Sequence, residues 1–423
     1  MDPMVAKGLI LTFVLLLTAA GRRSLCESTT MGLSFAVRSD SQAIAKTTVS
    51  RDSYVGDETC ATCHGDKIKT YYGTAHHLTS RRAKGDSIAG TFRPDANILK
   101  TSNPGLSFIM EIKDGGFFQT AIWGTPPFTT TRTEPIDLVI GSARKGQTYL
   151  YWKGDRLFQL PVSYWVDLGQ WVNSPGYADG VANFSRPVIS RCLECHASYA
   201  ESFAGPEHNN RYNKASVVLG ISCERCHGPG REHVASHRSG SSGTSAEWIV
   251  NPAKLPRDLE IEVCAQCHAG HGKSVAGPFS YVPGERLDAY LALDRPDPKA
   301  KIDVHGNQVA LLQRSRCYQS SPKMTCSTCH DVHVSQRDAA AFSSRCLTCH
   351  MIENCGEFSM QGEKIALNCI DCHMPVQQSN AIVSDSSGKQ SNARVRNHWI
   401  RVYPESSFPG SAESGGQGRV NVQ

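Results

Sequence analysis

Fourteen of the 17 cysteines stand in one repeated pattern, Cys-x-x-Cys-His. The seven copies are Cys60/Cys63/His64, Cys192/Cys195/His196, Cys223/Cys226/His227, Cys264/Cys267/His268, Cys326/Cys329/His330, Cys346/Cys349/His350 and Cys369/Cys372/His373. Residues at i, i+3 and i+4 share one face of a helical turn. Two thiols on that face can each form a thioether to a porphyrin vinyl group, while the histidine reaches an iron from the same side. The string is that of c-type haem attachment. Zinc ribbons also use Cys-x-x-Cys pairs, but they do not require a histidine directly after the second cysteine. A disulfide framework would not require the histidines either. The expectation is seven covalently attached c-type haems (Fe), with His64, His196, His227, His268, His330, His350 and His373 as proximal ligands.

The opposite face of each iron decides the chemistry. A second strong ligand makes a saturated, electron-transferring haem, whereas an open face admits substrate. Nine histidines remain: His76, His77, His208, His233, His237, His271, His305, His333 and His398. The candidate distal ligands are His77 or His76, His233 or His237, His305, His333 and His398. His333 follows His330 by three residues and is expected to reach an adjacent haem, since its own is already served on that side. His208 and His271 are weaker candidates. Met324, Met351, Met360 and Met374 near the C-terminal motifs are the alternative ligands, outnumbered by histidine. No catalytic residue is identified.

The elements that must position these groups follow from periodicity and turn residues. A helical piece is expected from Asp57 to about Arg82. In the long gap before Cys192, Leu106–Ile112, Phe117–Trp123 and Thr148–Trp152 alternate as strands do. Lys153-Gly154-Asp155 then turns the chain so that Arg156–Leu160 returns as a hairpin. Trp123, Tyr149, Tyr151, Trp152, Trp165 and Trp171 are expected mostly in a small β-core. Gly228-Pro229-Gly230 ends the third motif's helix at once, and a short helix is expected around His305 to Arg316. The fold class is thus mostly α with long loops, a haem-filled core and a β-rich insertion between haems 1 and 2. The divisions are 1–26 signal peptide or N-terminal anchor, 27–50 linker, 51–87 haem 1 segment and 88–190 β-rich haem-free insertion. Then come 191–275 with haems 2–4, 276–316 linker and helix, 317–402 with haems 5–7, and 403–423 disordered tail. Cys317 and Cys355 can pair in an oxidising compartment, and Cys26 is left over.

Gly8–Gly21 carries no charge and follows Lys7, as in an export signal. Arg22 and Arg23 just after it keep an uncleaved membrane anchor as the alternative. Either way the body is expected outside the cytoplasm, periplasmic or anchored facing the periplasm. The 40% hydrophobic content excludes a purely disordered chain, and the single apolar run excludes a polytopic membrane protein. The formal charge of +5 is mild and needs no nucleic-acid partner. Haem propionates would turn it slightly negative, favouring redox partner proteins with basic or mixed surfaces and a salt-sensitive docking.

Tyr54-Val-Gly-Asp-Glu-Thr-Cys60-Ala-Thr-Cys63-His64 with Gly73-Thr-Ala-His76-His77 resembles the opening of cytochrome c-554-type multihaem proteins. The stretch Ile136–Ser163, the run Gly220-Ile-Ser-Cys223-Glu-Arg-Cys226-His227-Gly-Pro-Gly, Val250-Asn-Pro-Ala, and Asn368-Cys-Ile-Asp-Cys372-His373-Met-Pro are similar to a group of exported multihaem cytochromes. In that group the haem region is often joined to tetratricopeptide repeats, which this chain lacks. The resemblance spans roughly residues 54–402. It implies bis-histidine haems, periplasmic electron transfer, and histidines at the His233, His305, His333 and His398 positions as distal ligands. An electron carrier is the leading expectation. The alternative is a multihaem oxidoreductase with one open haem acting on a small nitrogen or sulfur compound, and no Cys-x-x-Cys-Lys variant occurs to mark one.

Overall fold

Where apolar residues alternate between the first two motifs, the chain is sheet. The computed structural model describes residues 49–203, 209–240, 248–294 and 301–404. The segment 1–26, nearly all of 27–50, His208 and the tail beyond 404 lie outside the described residues.

Ten strands build the insertion: β1 Ser80–Arg82, β2 Ile98–Lys100, β3 Leu106–Lys113, β4 Gly116–Thr125, β5 Phe128–Pro135, β6 Leu138–Ile140, β7 Gly146–Lys153, β8 Arg156–Gln159, β9 Val162–Trp165 and β10 Gln170–Asn173. One sheet runs β2-β3-β4-β5; the other runs β1-β6-β7-β9-β10, with β8 on β7. Leu106, Phe108 and Met110 of β3 point inward at every second position, the period-2 pattern of a half-buried strand. Asp114-Gly115, both at positive φ, make the two-residue turn into β4. The expected hairpin across Gly154-Asp155 is present, with Lys153 paired to Arg156. Phe108, Met110, Tyr149, Tyr151, Val162 and Trp171 pack in one core cluster. A second cluster carries Tyr54, Leu138, Leu157, Leu193, Tyr199 and Phe279, so it joins the sheet to the first two motif segments. Tyr149, Tyr151, Trp165 and Trp171 are buried, while Trp123 and Trp152 pack half-buried against these clusters.

Five helices matter to the site: α1 Asp57–Tyr71, α2 Ser190–His196, α3 Cys223–His227, α4 Arg231–Arg238 and α5 Arg257–His268. Helix α1 kinks at His64 (φ −114°, ψ 34°) and stops at Tyr71 rather than near Arg82. The difference is tertiary: Ser80–Arg82 becomes strand β1 because β6 supplies its ladder partners, Ser80 opposite Ile140. Helix α3 ends on Gly228 at φ 86°, as the Gly-Pro-Gly turn requires. The short helix expected near His305 is two pieces, Gln308–Gln313 and Arg316–Ser320.

The fold is not mostly α. It is 30% helical and 27% strand, with several sheets. Besides the insertion, small antiparallel pairs join Ala197–Tyr199 to Val218–Leu219 and Gly272–Ser274 to Leu291–Leu293. A longer hairpin pairs Val376–Ser386 with Lys389–Arg396. That hairpin turns on Ser387-Gly388, both at positive φ. It has little apolar alternation because the residues it buries include Ser379 and Ser384. Its tip is held by hydrogen bonds instead. Asn173 N donates to Ser386 Oγ at 2.7 Å, Ser384 Oγ donates to Asn173 O at 2.8 Å, and Gly388 N donates to Asp179 Oδ2 at 2.9 Å.

Candidate functional site

Each Cys-x-x-Cys-His copy is a helical turn, even outside regular helices. The fifth begins a 3-10 turn at Cys326–Thr328, and the sixth straddles the end of Ala339–Cys346. In both, the histidine N–H still donates to the first cysteine's carbonyl, His330 to Cys326 and His350 to Cys346, each at 3.0 Å. The 14 motif thiols are all free rather than bridged, so they remain available for thioethers. Cys317 and Cys355 are free as well, not bonded to one another. Among the described residues no three histidine, cysteine or carboxylate side chains converge on a point, as a zinc site would require.

In the polypeptide alone the motif cysteines are half-buried or exposed. Cys63, Cys192, Cys349 and Cys372 are exposed, and Cys60, Cys195, Cys223, Cys226, Cys264, Cys267, Cys326, Cys329, Cys346 and Cys369 are half-buried. The reason is geometric. The motifs sit on short turns whose opposite side packs inward, as Leu193 and Glu194 do beside Cys192 and Ile370 does beside Cys369. Cys63 and Cys349 each meet the hydroxyl of the preceding threonine, Thr62 and Thr348, at 3.8 Å.

The histidines are oriented from behind. His227 Nδ1 donates to Val250 O at 2.8 Å, His373 Nδ1 to Arg401 O at 3.0 Å, His398 Nδ1 to Arg396 O at 3.1 Å and His268 Nδ1 to Gln308 Oε1 at 3.3 Å. His196 Nδ1 shares a hydrogen bond with Thr79 Oγ1 at 3.0 Å. An acceptor on Nδ1–H leaves the Nε2 lone pair facing forward, the arrangement that serves a metal-bound imidazole.

Histidines then meet in pairs drawn from distant parts of the chain. The ring centres of His76 and His268 lie 6.1 Å apart, those of His227 and His333 6.1 Å, and those of His330 and His398 6.2 Å. A metal held between two imidazoles through bonds of about 2 Å sets the ring centres roughly 6 Å apart. The spacing therefore fits one iron between each pair, and each pair contains one motif histidine. Burial pushes the imidazoles down, to about 4 for His76, His196 and His398. These rings are therefore held neutral rather than cationic. The nearby His305 imidazole adds to the depression of His196.

The motifs also touch one another. The Cys60 thiol lies close to that of Cys223, Cys195 to Cys267, and Cys326 to Cys264. Motifs 1 and 3, 2 and 4, and 4 and 5 are thus side by side. Two carboxylates lock the first of these contacts reciprocally. Asp57 Oδ1, opening α1, accepts from Cys223 N at 2.9 Å. Glu224, buried in α3, accepts from Val55 N at 2.8 Å, Gly56 N at 2.9 Å and Gly230 N at 2.8 Å. Burial opposes ionisation of Asp57, but His77 and the Cys223 N–H overcome it and hold its carboxyl below the ordinary value.

The remaining candidates are placed as follows. His77 stacks on Tyr72 at 4.3 Å and lies 3.6 Å from Asp57, so of the adjacent pair it is His76 that faces a motif histidine. His233 and His237 share one face of α4 and pack edge-on at 4.6 Å, too close for an iron between them. His271 sits on the loop entering Gly272–Ser274, its carbonyl accepting from Asp294 N at 3.0 Å. His350 lines an open cleft of about 430 Å³ with Leu347, Ile352, Glu353, Glu363 and Ala366. Met351 and Met360 are exposed, and Met324 packs against an apolar cluster. Sequence reasoning missed Asp57, Glu224, Thr79 and Gln308. The only local signal was an acidic residue next to a motif cysteine.

Comparison with known proteins agrees. The family model described as cytochrome c554 and c-prime matches residues 180–228, which hold the second and third motifs. The chain is 24% identical over 259 residues to the dissimilatory sulfite reductase MccA of Wolinella succinogenes, covering 51% of this chain and 32% of that protein. It is 26% identical over 197 residues to the multiheme cytochrome MtrA of Shewanella baltica, covering 41% of this chain and 55% of that one. The chain thus spans about a third and about half of these two relatives. In fold it is similar to the outer cell wall cytochrome OcwA, with a TM-score of 0.53 and 19% identity over 82% of this chain and 80% of that one. The cysteine motifs are those of c-type haem attachment, and these likenesses agree with them: the chain is similar to multihaem c-type cytochromes, and its residues 180–228 match the c554 family model.

Proposed function

We propose that the chain is an exported carrier that holds seven c-type haems, one on each Cys-x-x-Cys-His motif, and moves electrons between redox partner proteins. The observation that carries this reading is the set of three histidine pairs at 6.1–6.2 Å, each joining a motif histidine to one supplied from elsewhere. Bound haem supplies a one-electron iron couple. The chain's residues do the rest. His76, His333 and His398 complete His268, His227 and His330, and His305 completes His196. The Nδ1 acceptors hold each ring and set its basicity. Thiol contacts arrange the motifs as a pair, 1–3, and a run, 2–4–5, which Arg225 on Glu194 O joins. Residues 1–26 export the chain. Among the described residues, no helix is long and apolar enough to cross a membrane.

One observation favours a second reading, an oxidoreductase with an open haem. The open cleft beside His350 is lined by two carboxylates and three aliphatic residues, and among the described residues no second histidine lines it. Low-temperature electron paramagnetic resonance of the oxidised, haem-loaded protein separates the two readings, with haem and iron assayed alongside. Low-spin signals alone support the carrier. A stoichiometric high-spin signal that changes with nitrite, hydroxylamine or sulfite supports the enzyme. A His333→Ala variant is expected to convert one low-spin centre to high spin; an unchanged spectrum removes His333 as a ligand.

A further inference from the structure

The second, third and fourth motifs read Cys-Leu-Glu-Cys-His, Cys-Glu-Arg-Cys-His and Cys-Ala-Gln-Cys-His. At about 100° per residue, the position before the second cysteine projects opposite the face that carries the thiols and the imidazole. In these motifs it is Glu194, Arg225 and Gln266, and the three meet. An Arg225 guanidinium N–H donates to Glu194 O at 2.9 Å. Arg191 reaches Glu194 Oε2 at 3.4 Å and donates to Gln266 O at 2.8 Å. Phe279 N donates to Glu194 Oε1 at 2.9 Å. Gln266 Nε2 donates to Val263 O at 2.7 Å.

These side chains help to line, with Tyr281, a small cavity of about 20 Å³. Among the described residues six buried side-chain polar atoms have no hydrogen-bond partner, and three of them belong to this lining: Arg225 Nε, Gln266 Oε1 and the Tyr281 hydroxyl. Arg225 and Gln266 are 5% and 4% exposed. A buried donor and a buried acceptor left unpaired are each unfavourable, so something must serve both.

A cavity holds a water once it offers roughly 10–15 Å³ and two to four polar partners. This one offers a donor, an acceptor and a hydroxyl. The bond to Val263 fixes which end of the Gln266 amide faces inward. A halide would accept from Arg225 but would face the Gln266 oxygen and the Glu194 carboxylate. Burial pushes the Tyr281 phenol above its ordinary value, so it keeps its proton.

We propose that this cavity is a water site: one ordered water accepts from Arg225 Nε, donates to Gln266 Oε1 and bonds the Tyr281 hydroxyl, tying motifs 2, 3 and 4 together through their back faces. The water assignment stands on the polar lining alone; its consequence, a fixed spacing of three haem-binding turns, rests on the haem reading.

The test is a crystal structure of the haem-loaded protein at water-resolving resolution, with a second crystal soaked in bromide. A single peak within hydrogen-bond distance of all three atoms, without bromide anomalous signal, is the expected result. An empty or collapsed cavity, or a bromide peak there, overturns the proposal. Haem occupancy in the same maps tests the haem reading separately. In solution, Tyr281→Phe keeps the ring and removes only the hydroxyl, so its Tm is expected to fall by roughly 2 °C. An unchanged Tm means that the hydroxyl has no partner, and refutes the site as drawn.

Discussion

Glu224 is the strongest test of how the motifs are held together. Its side chain is 2% exposed and accepts three backbone N–H groups, from Val55, Gly56 and Gly230. The first two belong to the segment leading into motif 1, while Glu224 itself lies inside motif 3. Replacing it with alanine removes the acceptor and strands donors beneath the surface. A hydrogen bond to a charged group contributes about 1.5–3 kcal/mol. The three share one carboxylate and do not add fully, and water entering the gap recovers part, so Glu224→Ala should lose about 3–5 kcal/mol. Glu224→Gln keeps Oε1 for Val55 and Gly230 but sets an amide N–H₂ against the Gly56 N–H, and should lose about 1–2 kcal/mol. Urea unfolding of the haem-loaded protein, followed by far-ultraviolet circular dichroism, measures both from the midpoint and the slope. The order alanine, glutamine, wild type is expected. An alanine variant within about 0.5 kcal/mol of wild type would refute the argument, since surface changes alone fall in that range.

Gln308→Leu removes the acceptor behind His268, making that imidazole a weaker donor to ferric iron. The potential of one haem should rise by roughly 20–60 mV in a spectroelectrochemical titration, taking 59 mV per tenfold change for one electron. Asp179→Ala should free the tip of the C-terminal hairpin, and faster proteolysis or amide exchange near Gly388 would show it. Asp179 also predicts an acid limb. Burial raises its pKa, but hydrogen bonds from Gly388 N, Asn173 and Ser102 outweigh this and hold it below the ordinary value. A depressed carboxylate contributes its stability above the unfolded-state pKa and loses it as pH falls through the folded one. The wild type should therefore lose more stability than Asp179→Ala on acidification below about pH 4.

The motif turns were legible because their geometry is local: three side chains brought to one face within five residues need no distant partner. The alternation of Leu106–Ile112 and Phe117–Trp123 was legible for the same reason, since a sheet with one buried face leaves period two in the chain. The hairpin Val376–Arg396 was not, because it docks through serine, asparagine and aspartate hydrogen bonds and buries little apolar surface. The expectation of a mostly α fold fails there and in the strength of the insertion's two sheets.

The sequence by itself determined the class of motif, its sevenfold repetition and the reserve of histidines available as second ligands. Which histidine meets which motif was decided by tertiary structure alone. His76 faces His268 while its neighbour His77 stacks on Tyr72, because successive residues on a turn point in different directions. His333 meets His227 and His398 meets His330, across 106 and 68 residues of chain. No local pattern encodes such a pairing. It comes from the packing of motif against motif, through Asp57, Glu224, Glu194, Arg225 and Gln266, and those contacts exist only once the chain has folded.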